Sequence, residues 1–160
     1  RKGVQYLLEA FRRLNLPDAE LVLVGWKGSD SRTFLPQYEG SYRYIPFVPQ
    51  AALPGLYRSA SVLVLPSIEE GFGMVVYEAA ACGVPSIITE NVGATIRDGQ
   101  DGSIVPIRDV DALAARLLTL YENEGLRREM GYSAQAYVRQ YTWDAYGDAL
   151  IAHYRALTGG

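Results

Sequence analysis

SVLVLPSIEEGFGMVVYEAAACGVP, residues 61–85, holds the transition on which the fold turns. Ser61 to Leu65 is the clearest strand of the chain, its apolar residues Val62 to Leu65 stopped by Pro66. A polar loop with two glycines follows, Pro66 to Gly73, and the pattern then predicts a helix from about Phe72 to Cys82. Gly83 stands where a helix wants its C-terminal glycine, Pro85 lies just beyond, and Val84 to Thr89 is the next strand. The segment reads as strand, loop, helix, strand.

The same alternation continues outward. Upstream, Val4, Leu7, Leu8, Phe11 and Leu14 recur at helical spacing, and Asn15-Leu16-Pro17 ends that helix. Glu20 to Gly25 and Arg43 to Val48 are strand-like. They are separated by a polar loop from Gly28 to Ser41 with a helical turn around Phe34 to Tyr38. Leu53 to Ser59 is predicted helical, with Pro54 in its first turn. Downstream, Ser103 to Val105 is a short strand. Asp109 is placed to cap a helix with Val110, Leu113, Leu117 and Tyr121 on one face. Leu126, Met130, Ala134 and Tyr137 trace another helix. Thr142 caps the last, whose face is Trp143, Tyr146, Leu150, Tyr154 and Leu157. Strands alternating with helices imply an α/β fold, a Rossmann-like parallel sheet with helices on both faces. Such sheets bind ligands at the carboxyl ends of their strands, which directs attention to the loop after Leu65.

Composition narrows the function classes. The 160 residues suit one domain, and 49% hydrophobic with 21% charged residues is ordinary for a globular chain. A formal net charge of −3 without a local Lys/Arg cluster provides no basic field, so a nucleic-acid partner is not expected. No apolar run has the length of a membrane span. The start, Arg1-Lys2-Gly3, has neither a methionine nor a signal-peptide pattern and reads as the middle of a longer protein. With one Cys and one His, neither an internal disulfide nor a zinc site is expected. Cys82 reads as a buried packing residue and His153 as a surface or boundary residue of the last helix. Trp26 and Lys27, after a strand, either border a ligand or belong to a plain loop.

The loop has the chemistry of an anion site. Gly71 and Gly73 allow close approach and backbone conformations closed to other residues. The helix that starts there presents unpaired N–H groups and the positive end of its dipole, which suit a phosphate. Glu70 in the loop and Glu78 about two turns along the helix can accept hydrogen bonds from two hydroxyl-bearing parts of one ligand. Glu78 also lies in an apolar stretch, MVVYEAAAC, where a carboxylate is costly without a partner. The residue types alone fit equally a first-turn acid favouring the dipole and an exposed helix acid.

The stretch EEGFGMVVYEAAACGVP resembles the E-x7-E signature of retaining glycosyltransferase family 4, whose members have the GT-B fold. Nearly the whole chain follows the family's order, including Lys2-Gly3, the strand ending at Gly25, VLVLPS at 62–67, Asp98-Gly99-Gln100-Asp101-Gly102, Val105-Pro106 and Tyr141-Thr142-Trp143. The resemblance implies one half of a GT-B fold, with residues 1–160 as a single nucleotide-sugar-binding domain and the N-terminal acceptor domain absent from this chain. The donor would be a nucleoside-diphosphate sugar such as a UDP-sugar. The acceptor would be a sugar or a lipid-linked glycan, with no cofactor or metal. Glu70 would then contact donor-sugar hydroxyls beside the backbone of Gly71, Phe72 and Gly73. Met74 and Val75 would offer N–H groups to the diphosphate, and Glu78 would take the ribose hydroxyls. Lys2 would neutralise the diphosphate as charge builds on the leaving group. Phe47 and Val48 would line the nucleobase pocket.

Further expectations follow from the same resemblance. The parent protein would be a hexosyltransferase-like enzyme of the cytoplasm, with a peripheral position at the inner membrane face open to it, and the isolated domain would be inactive. The alternative is a non-catalytic nucleotide-sugar-binding subunit that completes or regulates a partner chain. A phosphoacceptor domain would need an Asp at the end of a central strand, and Leu65-Pro66-Ser67 has none. The family's first strand falls upstream of Arg1. The sheet is therefore expected to be disturbed near the strands at Glu20 and Ser61, or paired with another molecule.

Overall fold

A computed structural model describes residues 1–28 and 31–158. Ser29 and Asp30, within the expected polar loop, lie outside the described residues, as do Gly159 and Gly160. The order is α1 (Val4–Leu14), β1 (Val22–Val24), α2 (Ser31–Phe34), β2 (Arg43–Ile45), α3 (Leu53–Ser59), β3 (Leu63–Leu65) and α4 (Met74–Ala81). Then come β4 (Ser86–Thr89), β5 (Gly102–Val105), α5 (Val110–Glu122), α6 (Glu124–Val138) and α7 (Trp143–Thr158). Residues 31–38 of the expected loop between β1 and β2 are helical. α2 runs into a 3-10 turn at Leu35–Tyr38 that buries Leu35 and Tyr38 beside Leu8.

Among the described residues all strand pairs are parallel, and they form two sheets, β1-β2 and β3-β4-β5. The expected single sheet is thus in two parts. Among the described residues β1 has β2 on one side and no strand on the other. The disturbance falls between the Glu20 and Ser61 segments, where it was expected. The first residues run alongside the loop after β3. Ile68 N–H donates to the Arg1 carbonyl at 2.9 Å, and Gly3 sits so close to the Pro66 carbonyl that a Cβ there would come within 1.8 Å of it. Only glycine fits that crossing, in a left-handed conformation at φ 65°.

β4 shows why the larger sheet needs helices on both faces. Ile87 packs with Leu7, Ala10, Leu113, Leu117 and Leu120 of α1 and α5, whereas Ile88 packs with Val76 of α4 and with Val92 and Ala94. Successive strand residues point to opposite faces, so a strand with four buried residues serves two cores at once. α4 lies between α3 and α6, and α1 against α5. The caps fall as expected. Asp109 accepts from the Ala112 N–H at 2.8 Å, and Thr142 from the Ala145 N–H at 3.1 Å. The α5 face turns by one residue: Leu120 is buried, while Tyr121 is exposed and donates to the Pro17 carbonyl. Cys82, expected buried, is half-buried at the end of α4. α7 buries none of its residues, and His153 is exposed on it. Among the described residues no helix is long and apolar enough to cross a membrane.

The Asp98–Gly102 turn locks β5 to the α6 side. Asp98 accepts from the Ile104 N–H at 2.8 Å. Asp101, almost wholly buried, receives the Arg97 main-chain N–H and guanidinium as well as the Ser133 hydroxyl. Burial pushes the Asp101 carboxyl up, but the Arg97 and Ser133 hydrogen bonds outweigh it and hold it below the ordinary aspartate range. A lowered native pKa means that this contribution is complete at neutral pH and is lost as the pH falls through the depressed value. Asp101→Asn is expected to cost about 2 kcal/mol at pH 7. Urea melts of both proteins should converge as the pH is lowered toward that range.

Candidate functional site

The strand–loop–helix junction after β3 is built by glycine geometry. Gly73 takes the left-handed conformation at φ 72°, which turns the chain into α4 at Met74 rather than at Phe72 as expected. A Cβ at Gly73 would lie 2.8 Å from Val92 Cγ1 and 3.3 Å from Ala94 Cβ. The helix start is therefore pressed onto the loop that follows β4. Gly71 differs from the expectation: its φ is not positive, and a Cβ there would meet open space. The close approach at that point belongs to Gly93, where a Cβ would come within 2.0 Å of the Gly71 carbonyl.

Several bonds stitch the two loops together. Glu70 N–H donates to the Asn91 carbonyl at 3.2 Å, and Gly93 N–H donates to the Glu70 carbonyl at 3.3 Å. The Asn91 side-chain amide donates to the Ile68 carbonyl at 2.9 Å, and the Thr89 hydroxyl to the Ser67 carbonyl. Glu70 is thus held by its own backbone at a fixed place beside the helix start. None of these residues of the second loop was marked by the sequence. Asn91 and Gly93 look like ordinary turn residues until the partner loop is seen. Gly73→Ala is expected to cost about 2–4 kcal/mol from left-handed strain and overpacking combined. For a chain of this size that is a fall in melting temperature of roughly 5–15 °C, measurable by calorimetry.

Lys2 and Glu70 are brought together: the ammonium pairs with Glu70 Oε2, with the carboxylate mostly covered and the lysine half exposed. Sequence placed these two residues near one ligand without placing them on each other. Phe72 is exposed and stacks on Tyr77, ring centroids 5.0 Å apart at 14°. Tyr77 in turn accepts from the Thr95 N–H at 3.0 Å and meets the edge of Tyr141. Met74 and Val75 are exposed in the first turn of α4, where helix geometry leaves N–H groups without intrahelical partners. Glu78 is half-buried in the second turn, and Tyr57 of α3 donates to its Oε2 at 2.7 Å. That is the partner its apolar surroundings called for, and no spacing in the sequence announced Tyr57.

Phe47 and Val48 follow β2. Phe47 is 76% exposed, and among the described residues no hydrogen bond or ring contact joins the pair to the Glu70–Glu78 segment. Trp26 is exposed too, and Lys27 lies over the Tyr44 ring at 3.8 Å, which accounts for it as a loop residue. Chemically, the segment from Glu70 to Glu78, with Lys2 paired to the first, offers an ammonium, N–H groups at a helix start and two carboxylates. Groups of these types can take an anion that carries hydroxyls.

Comparison with known proteins fits that chemistry. The chain is 30% identical over 165 residues to O-antigen chain mannosyltransferase B of Escherichia coli, covering 98% of this chain and 43% of that protein. It therefore spans less than half the length of that relative. Sucrose-phosphate synthase from Thermosynechococcus elongatus superposes with a TM-score of 0.85 at 26% identity, over 99% of this chain and 43% of the other. The C-terminal domain of a glycosyl transferase group 1 family protein from Francisella tularensis superposes with a TM-score of 0.78 at 25% identity. That match covers 88% of this chain and 79% of the other. Residues 1–137, which include Lys2, the start of α4 and both carboxylates, match the sequence family Glycosyl transferases group 1, and the chain belongs to it.

Proposed function

We propose that this chain is the nucleotide-sugar-binding domain of a retaining family 4 glycosyltransferase, which moves a hexose from a nucleoside-diphosphate sugar to a sugar or lipid-linked acceptor. The observation that carries the reading is the Gly73 turn. It opens α4 at Met74, four residues after the Glu70 that pairs with Lys2, so the cation is tied to the loop that leads into the helix start. A diphosphate there would draw on both, and Lys2 would leave Glu70 for the phosphate oxygens. The lysine end of the pair is half exposed, so its ammonium can turn to the phosphates without leaving water. Glu70 is then free to accept from the hydroxyls of the sugar. Lys2 and the Met74 and Val75 N–H groups would stabilise the charge that grows on the departing diphosphate. Glu78 would hold the ribose, and the exposed Phe47 with Val48 would cover the base.

The acceptor domain would precede Arg1 in the full-length protein, which we place in the cytoplasm. Its first strand in this half would seat between β1 and β3, completing one sheet. A thermal-shift panel of UDP, GDP, ADP and their sugars tests the binding reading. A ligand at a hundred times its dissociation constant stabilises the folded state by about 2.7 kcal/mol. At least one nucleotide is expected to raise the melting temperature by several degrees. No shift with any of them would count against the site.

A further inference from the structure

α3 and α4 lie side by side, and the single polar tie between their side chains is the Tyr57–Glu78 hydrogen bond. Phenylalanine would fill the same half-buried space as Tyr57, so the packing of α3 does not need the hydroxyl. That hydroxyl has one partner among the described residues, Glu78 Oε2 at 2.7 Å. A glutamate on an otherwise apolar helix has three side-chain torsions and several directions open to it. A tyrosine ring has two torsions, and its reach is fixed. Burial pushes the Tyr57 phenol well above its ordinary pKa, and the neighbouring carboxylate raises it further, so it remains a donor throughout the neutral range. Oε1 of Glu78 accepts no hydrogen bond among the described residues.

We infer that Tyr57 is a positioning residue that aims Glu78 at the ligand's ribose, anchoring Oε2 so that Oε1 is left for a ribose hydroxyl. The inference rests on the proposed role of Glu78 as ribose acceptor. A carboxylate already held in place loses less side-chain freedom when the nucleotide arrives, so the tyrosine contributes affinity without touching the ligand. It also sharpens the distinction between ribose and deoxyribose, because a fixed acceptor left without its hydroxyl cannot readily find another partner.

The test is calorimetric titration of UDP, GDP and ADP, each with its 2′-deoxy counterpart, into the wild-type chain, Tyr57→Phe, Glu78→Gln and the double variant. Tyr57→Phe is expected to weaken the ribonucleotide by roughly three- to tenfold and to shrink the preference for ribose over deoxyribose. In the Glu78→Gln background its effect should shrink well below that in the wild-type chain, because the side chain that Tyr57 still holds no longer has a carboxylate oxygen to aim. A purely structural tyrosine would lower the melting temperature and weaken both nucleotides equally, which would overturn the inference. So would an additive loss in the double variant. As a second readout, 3-fluorotyrosine placed at position 57 keeps the hydroxyl. Its 19F signal should move on adding saturating nucleotide, and a stationary signal overturns the inference whatever the stability of Tyr57→Phe. If Glu78→Gln weakens binding and Tyr57→Phe does not, the inference alone fails. If Glu78→Gln has no effect, the ribose assignment fails with it.

Discussion

Glu78→Gln is expected to weaken binding of a bare nucleoside diphosphate by roughly 1.5–3 kcal/mol, about ten- to hundredfold, while Glu70→Gln leaves that affinity intact or slightly improved. The asymmetry comes from what each carboxylate faces. Glu78 is held from behind by Tyr57 and has an open oxygen, so removal of its charge takes away a ready acceptor for ribose hydroxyls. The glutamine can still accept from Tyr57, which keeps the helix pair intact. Glu70 instead occupies Lys2. Neutralising it releases the ammonium for the phosphates and removes a like charge from their neighbourhood, so the bare diphosphate loses nothing. With the complete nucleotide sugar the result changes, because the sugar hydroxyls then lose their acceptor, and both variants should bind more weakly. Isothermal calorimetry on the two variants separates the roles. Equal losses on the bare diphosphate would contradict the assignment.

The second large effect is catalytic. This chain alone is expected to transfer no sugar, even where it binds the donor well. Orientation of two reactants contributes about 7–11 kcal/mol in favourable cases, which corresponds to effective molarities on the order of 10^5–10^8 M. Under the proposed reading the acceptor is positioned by a domain outside this chain. α7 is consistent with a missing neighbour. It buries none of its residues, and Trp143, Tyr146, Leu150, Ile151, Tyr154 and Leu157 are all exposed along it. Slow hydrolysis of the donor would require only the groups present here. Mass spectrometry of reactions with several nucleotide sugars and a pool of acceptors, run on this chain and on a version extended upstream, should find transfer products only with the longer protein. Equal transfer by both would defeat the half-enzyme reading.

Most of the element order was legible because helices and buried strands write their periods locally. The apolar residues Val62 to Leu65 and the Asp109 and Thr142 caps all mark events decided within a few residues of chain. The E-x7-E stretch was legible for a different reason: strand, loop and helix are consecutive there, so one segment carries most of the candidate site. What stayed hidden depends on contacts between distant segments. Tyr57 and Glu78 are 21 residues apart and meet only because α3 packs on α4. Gly93 differs from any turn glycine only when the Gly71 carbonyl is laid against it. The Lys2–Glu70 pair spans 68 residues and depends on the chain start crossing the Pro66 loop. Helix boundaries failed in a narrower way. Phe72 looks like a good first helical residue, but the left-handed Gly73 after it delays the start to Met74.

Under the proposed function a nucleoside diphosphate sits at the start of α4, between Glu70 and Glu78. The most direct test is a nitrogen-15 correlation spectrum of the labelled chain, titrated with whichever of UDP, GDP or ADP gives the largest thermal shift. The account predicts that the largest saturable changes fall on the amides of Gly71 to Val75, with Tyr57 and Glu78 following at the same nucleotide concentration. Changes confined to Gln135, Val138 and Arg139, on the α6 side of the groove that Glu78 lines from α4, would contradict it, as would a spectrum that no nucleotide alters.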